Sequence, residues 1–207
     1  MQARKKGLLD INLIDIRTFA DNRYYKVDDR PYGGGPGMVM MPQPVLSAIH
    51  SVKKPGAKVI YMSPQGPLLK ADKCRELAQQ DHLILLCGHY EGIDERILDE
   101  VDEEISIGDY VLTNGCLSAI VLVDALVRFV PGVLGHESAA AEDSFENGLL
   151  ECPHYTRPES YEGKAVPEIL LSGDHKKIAE WRRKKSLEKT QRVRPDLWQK
   201  LNINLEE

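Results

Sequence analysis

The sequence has no run of about 18 apolar residues, so no transmembrane helix is expected. Its basic start, Met1-Gln2-Ala3-Arg4-Lys5-Lys6, is followed by no apolar stretch of the kind a secretory leader needs. Cysteine is scarce and scattered. Cys74, Cys87, Cys116 and Cys152 form no CxxC pair, which argues against a zinc site or a redox dithiol and fits a reducing, cytoplasmic setting. His89, His136 and His154 stand at no metal-ligand spacing, so no metal site is expected. No glycine-rich loop runs into Gly-Lys-Ser/Thr, which sets a nucleotide hydrolase of the P-loop kind aside. Internal repeats and low-complexity tracts are also missing.

What is present bounds the answer further. The chain has 207 residues, 42% hydrophobic and 29% charged, enough for one ordinary α/β domain plus a small one. Net charge is −5, yet the charges are segregated. Glu91, Asp94, Glu95, Asp99, Glu100, Asp102, Glu103 and Glu104 crowd one stretch. Lys176, Lys177, Arg182, Arg183, Lys184, Lys185, Lys189, Arg192, Arg194 and Lys200 crowd the tail. This asymmetry suggests that a polyanion meets one end of the molecule, the alternative being a solvated charged helix.

Taken in order, residues 1–6 read as the end of a helix capped at Gly7. The alternation of Leu9, Ile11 and Leu13 with polar residues predicts a strand over 9–16. Pro42 and Pro44 suit the first turn of a helix over 42–54, followed by a buried strand over 59–62, a helix over 71–80 and a strand over 82–87. The acidic stretch 93–104 reads as a charged helix, and 116–130 as an apolar one in which Asp124 and Arg128 stand at i and i+4. Residues 131–163 are loop-like. A basic helix over 174–192 and another from Pro195 close the chain, with Trp181 and Trp198 as their anchors. Alternating strands and helices predict an α/β domain with a mostly parallel sheet.

Three loops stand out. Gly88-His89-Tyr90-Glu91-Gly92 follows the strand LILLC, and Ser106-Ile107-Gly108-Asp109-Tyr110-Val111-Leu112-Thr113-Asn114-Gly115 ends at the apolar helix. Glycine-bearing loops at the ends of buried strands form a crevice for a flat ligand in an open α/β sheet. The third, Asp28-Asp29-Arg30-Pro31-Tyr32-Gly33-Gly34-Gly35-Pro36-Gly37-Met38, is too rich in glycine and proline for a helix or central strand and suits a lid or ligand loop.

CGHYEGIDER, SIGDYVLTNG and DDRPYGGGPGMVM closely resemble the signatures of the bacterial tRNA (guanine-N1)-methyltransferases, members of the knotted SPOUT class, and the resemblance covers nearly the whole chain. It implies a mostly parallel sheet with a C-terminal trefoil knot and a small α-helical C-terminal domain. The expected division is a cofactor-binding domain over 1–134, a linker over 135–163 and a tRNA-binding domain over 164–207. It implies methyl transfer from S-adenosylmethionine to N1 of guanine 37 in tRNA, in a homodimer, with magnesium as an assisting ion. Tyr61, Gly88, Ile107, Gly108, Asp109, Tyr110, Val111 and Leu112 would hold the donor, with Gly115 closing the pocket. Tyr90 and Glu91 would meet the guanine.

Methylating N1 of guanine requires a base for its proton and a cation near O6, where charge develops. The resemblance assigns these roles to Asp143, serving the other subunit's pocket, and to Arg128. Read without it, Asp143 is a turn or helix-capping residue and Arg128 half of a surface ion pair. Two departures from the family appear. Asn114 replaces a glycine, where its tolerance of left-handed backbone preserves the turn, and Cys116 replaces a glutamate. An N-terminal strand and helix usual in the family also lack a counterpart. A relative acting on another RNA base, or a non-catalytic RNA-binding protein, are the competing readings.

Overall fold

The computed structural model describes residues 2–134 and 143–206, with the backbone alone at residue 2 and over 202–206. The chain divides into two compact units, Met1–Val133 and Leu134–Glu207. The first unit opens with α1 (Gln2–Lys5), which ends at Gly7 in the left-handed region, φ 69°. A short antiparallel pair, β1 (Asp28–Asp29) and β2 (Val39–Met40), brackets the glycine-rich loop. Then follow α2 (Pro42–Val52), β3 (Lys58–Met62), α3 (Ala71–Leu77), β4 (Leu83–Cys87), β5 (Glu103–Ile105) and α4 (Cys116–Val127).

The sheet is parallel, in the order β4-β3-β5, with Met62 beside both Cys87 and Ile105. Its central strand is covered on both faces, which is why KVIYM reads as an unbroken apolar run rather than an alternating one. Ile60 and Met62 pack with Leu77 of α3 and with Leu122 and Leu126 of α4. Val59 and Tyr61 point the other way, against Val45 and Ile49 of α2 and Ile97. Each such side chain removed from water stabilises the unit by about 1.5–3 kcal/mol.

Two expected elements take another form. Residues 9–15 hold no strand, and Leu13 is 92% exposed. Alternation makes a strand only where a neighbour supplies ladder bonds, and the described sheets offer this segment none. The acidic stretch 93–104 is not one helix. A single 3-10 segment, Glu95–Glu100, is capped by the Asp94 carboxylate on the Arg96 N–H, and the chain then extends into β5.

In the second unit, β6 (Ser160–Tyr161) and β7 (Lys164–Ala165) form a small hairpin, followed by α5 (Glu168–Leu171), α6 (His175–Val193) and α7 (Pro195–Glu206). Asp174 caps α6 by accepting from the Lys177 N–H at 3.1 Å. Thr190 is wholly buried; its hydroxyl accepts from the Leu150 N–H and donates to the Ser186 carbonyl, both at 2.8 Å. Trp181 and Trp198 are half-buried, Trp181 tilted against Tyr155 with ring centres 6.4 Å apart. No helix among the described residues is long and apolar enough to cross a membrane.

Candidate active site

Because β3, β4 and β5 run parallel, the loops that leave their C-terminal ends lie along one edge. The loop after β3 bends at Gly66, where a Cβ would come within 2.6 Å of the Glu104–Ile105 backbone. The loop after β4 begins at Gly88, where a Cβ would meet the Tyr61 hydroxyl at 2.9 Å. The loop after β5 returns to this point. Gly115 donates its N–H to the Gly88 carbonyl at 2.9 Å, and His89 pairs with Asn114 in an antiparallel bridge. A Cβ on Gly115 would stand 2.9 Å from the Cys87 Cα, so only glycine lets the two segments approach. Tyr61, Gly88 and Gly115 thus share one place, with backbone lining it.

Ser106 shapes the second loop. Its buried hydroxyl donates to the Gly108 carbonyl at 3.0 Å and faces the Gly108 N–H at 3.2 Å. Tyr110 folds back over Gly108, its hydroxyl donating to the Ile107 carbonyl at 3.2 Å. Ile107, Gly108 and Leu112 are half-buried; Asp109, Tyr110 and Val111 are exposed. Burial, and then the Glu104 carboxylate, raise the Tyr61 pKa, which keeps its hydroxyl protonated as a donor.

The glycine-rich loop meets this edge. Met38 and Met40 carbonyls accept from the N–H groups of Glu91 and Asp94, and Met40 donates to the Gly92 carbonyl, at 3.0–3.1 Å. Gly37, at φ 80°, lies against the Glu91 side chain so closely that a Cβ would overlap its carboxylate. Beside Glu91, Tyr90 is held at φ 55° with its ring against His89, centres 4.2 Å apart, and is 57% exposed. Left-handed backbone, which Tyr25 and Phe145 share, costs energy at a residue other than glycine.

The two residues expected to do chemistry belong to different units. Arg128 closes α4, whose 12 residues carry it about 20 Å along the axis from Gly115. Asp143 belongs to the second unit and opens a turn in which its carbonyl accepts from the Glu146 N–H at 3.3 Å. That turn is fixed by Ser144 accepting from the Glu151 N–H and by the Arg194 guanidinium over the Phe145 ring at 5.7 Å. His136 and Glu142 lie outside the described residues.

A family model described as tRNA (Guanine-1)-methyltransferase TrmD matches residues 1–200. The chain belongs to this family. A tRNA (guanine-N(1)-)-methyltransferase of Protochlamydia amoebophila is 72% identical over 197 residues, covering 95% of this chain and 89% of that protein. Its namesakes in Chlamydia trachomatis serovar D and Chlamydia muridarum are 61% and 63% identical over 198 residues, but the chain spans only 56% of their length.

At Asn114, where the family's signature has a glycine, the turn is kept without left-handed backbone. The Asn114 side chain accepts from the Cys116 N–H at 2.9 Å and closes the first turn of α4. Sequence reasoning also passed over Ser106 and Ser118, which hold the loop through Gly108 and the Gly115 carbonyl. A serine beside a glycine turn is the available signal, and a common one. Among the described residues no group of three His, Cys, Asp or Glu is placed to hold a metal ion.

Proposed function

We propose that this protein methylates N1 of guanine 37 in tRNA, with S-adenosylmethionine as the methyl donor. The observation that carries the reading is the glycine cradle. A Cβ on Gly88 would press on the Tyr61 hydroxyl and one on Gly115 on the Cys87 backbone, and the loop 107–112, exposed at 109–111, leads into Gly115. Flat adenine and ribose groups are held by such backbone. Bound there, S-adenosylmethionine supplies an electrophilic methyl group on its sulfonium. Tyr61 bounds the floor of the pocket, while Glu91 and the strained Tyr90 meet the guanine under the loop that ends at Gly37. Asp143 takes the N1 proton, and Arg128 offsets the charge that gathers on O6.

The assignment calls for a second copy of the chain. One chain places Arg128 a helix length from its own Gly115. Leu117, Ile120 and Val121 form an apolar face on α4 that the first unit leaves 46–62% exposed. Such a face is one that a homodimer covers, with Asp143 serving the partner's pocket. The segment 106–115, bonded back to β4 at Gly88, is read as the crossing of a trefoil knot, and the helical second unit as the part that grips tRNA in the cytoplasm. Labelled methyl transfer to a tRNA transcript with guanine at 37, beside one with adenine there, tests the reading. Label on the first alone is expected; label on both discards the position, and label on neither discards the enzyme.

A further inference from the structure

Two thiols that no role above uses meet at the neck of the crevice. The His89–Asn114 bridge sets an antiparallel register. One step back, the same register faces Gly88 with Gly115, joined by the 2.9 Å bond between them. A further step faces Cys87, the last residue of β4, with Cys116, the first of α4. The packing agrees: the position a Cβ would take on Gly115 is 2.9 Å from the Cys87 Cα, and the Cys116 thiol is near enough to raise the Cys87 pKa. Where an antiparallel pair ends, opposed Cα atoms stand about 4.5–5.5 Å apart, inside the Cα separation of about 4.4–6.8 Å that a disulfide spans. Both are free thiols, Cys116 exposed and Cys87 half-buried. The lack of a CxxC pair, which spoke against a redox dithiol, does not bear on a pair assembled across two segments.

We propose that Cys87 and Cys116 form a reversible disulfide on meeting a low-molecular-weight disulfide such as oxidised glutathione, and that this bond weakens binding of the methyl donor. The pairing stands on the bonding of Gly115 to Gly88 and its packing on Cys87; the effect on the donor rests on the function proposed above. In the first step the Cys116 thiolate attacks one sulfur of oxidised glutathione, forming a mixed disulfide and releasing one glutathione thiolate. Cys87 then gives up its proton and attacks the Cys116 sulfur, expelling the second glutathione. Two protein thiols are oxidised, and their electrons and protons end on two molecules of reduced glutathione.

The order follows from the surroundings. Burial, with the neighbouring Cys116 adding to it, pushes the Cys87 thiol up to about 12, so the exposed Cys116 starts the exchange and Cys87 resolves it, faster as pH rises. Closing to a bond of about 2.05 Å draws the start of α4 toward β4. Gly115 moves with it, and the cradle it forms with Gly88 has no slack to absorb that shift.

The experiment incubates the reduced full chain with oxidised glutathione at mildly alkaline pH, then blocks free thiols and reads intact mass and linked peptides. The expected product is two hydrogens lighter, joins the peptides carrying Cys87 and Cys116, and reverts with dithiothreitol. Cys116→Ser gives no such product. Calorimetric affinity for S-adenosylmethionine is expected to fall by about tenfold or more on oxidation, the scale on which a small displacement of a positioned site acts, and to ignore the oxidant in Cys116→Ser. A glutathione adduct that stays on Cys116, or no change of mass, overturns the pairing. A mapped disulfide with unchanged donor affinity overturns the effect. A chain that forms the disulfide yet binds no donor in either redox form upholds the pairing and sinks the donor reading instead.

Discussion

Gly115 and Asp143 separate the two ways in which one residue can matter here. At Gly115 an added methyl would press on the Cys87 backbone, which cannot turn aside as a side chain could. Gly115→Ala is therefore expected to cost about 1–3 kcal/mol by overpacking and to lose donor binding; urea unfolding and calorimetry together check it. Asp143→Ala should behave in the opposite manner. Its turn is tied down by Ser144 and Phe145, and the donor cradle belongs to the first unit, so donor affinity should survive. The methyl-transfer rate should fall by about 10²–10⁴-fold, the contribution of a positioned base. An unchanged rate would remove Asp143 from the chemistry. Gly88 and Gly115 were legible in the sequence because a motif spelled them out. Ser106 and Asn114 were not, since what they hold, the Gly108 loop and the first turn of α4, exists only after folding.

The same difference shows at the level of elements. The buried run of β3 and the capped start of α6 announce themselves in sequence, by apolar continuity and by Asp174. Strand β5 does not. Its Glu103 and Glu104 read as two more acids of an acidic helix, whereas Glu103 is taken into the sheet edge by Lys58 at 2.9 Å and Lys73 at 2.8 Å, supplied by β3 and α3. Glu76 joins both lysines. Burial alone would raise the Glu103 pKa, but the hydrogen bonds from Lys73 and Lys58 outweigh it and hold the carboxyl below the usual 4.5. A carboxylate whose folded pKa is depressed stabilises fully above its unfolded value and loses that contribution as pH falls through the folded one. The two lysines, raised above 10.5 chiefly by their bonds to Glu103, lose theirs only as pH rises past that value. Between these limits the network should leave stability flat. The urea midpoint should drop on acidification below 4.5, and Glu103→Gln should flatten that drop. An equal drop in the variant would place the acid sensitivity elsewhere.

At the scale of the whole molecule, charge and symmetry make separate claims. The average charge of −5 conceals α6, whose sequence carries Lys176, Lys177, Arg182, Arg183, Lys184, Lys185, Lys189 and Arg192. If this helix grips phosphates, the affinity for tRNA falls steeply with salt, and Arg182→Ala with Arg183→Ala lowers the slope by about one for each phosphate no longer neutralised. A salt slope that stays the same would free α6 of that role. Symmetry is tested by complementation. Gly88→Ala fills the donor cradle against Tyr61 without calling for left-handed backbone, since Gly88 is not among the positive-φ glycines. Asp143→Ala removes the proposed base and leaves the cradle intact. Each variant alone should be inactive as a homodimer. In a mixed dimer, the intact cradle belongs to the Asp143→Ala subunit and the intact Asp143 to its partner, so one whole site is rebuilt only if the base crosses the interface. Co-expressed in equal amounts, half of the dimers are mixed and each has one of two sites, so activity should return to about a quarter of the wild-type level. A base that served its own subunit would rebuild nothing, because both intact parts never meet on one chain, and the mixture would stay as inactive as its components.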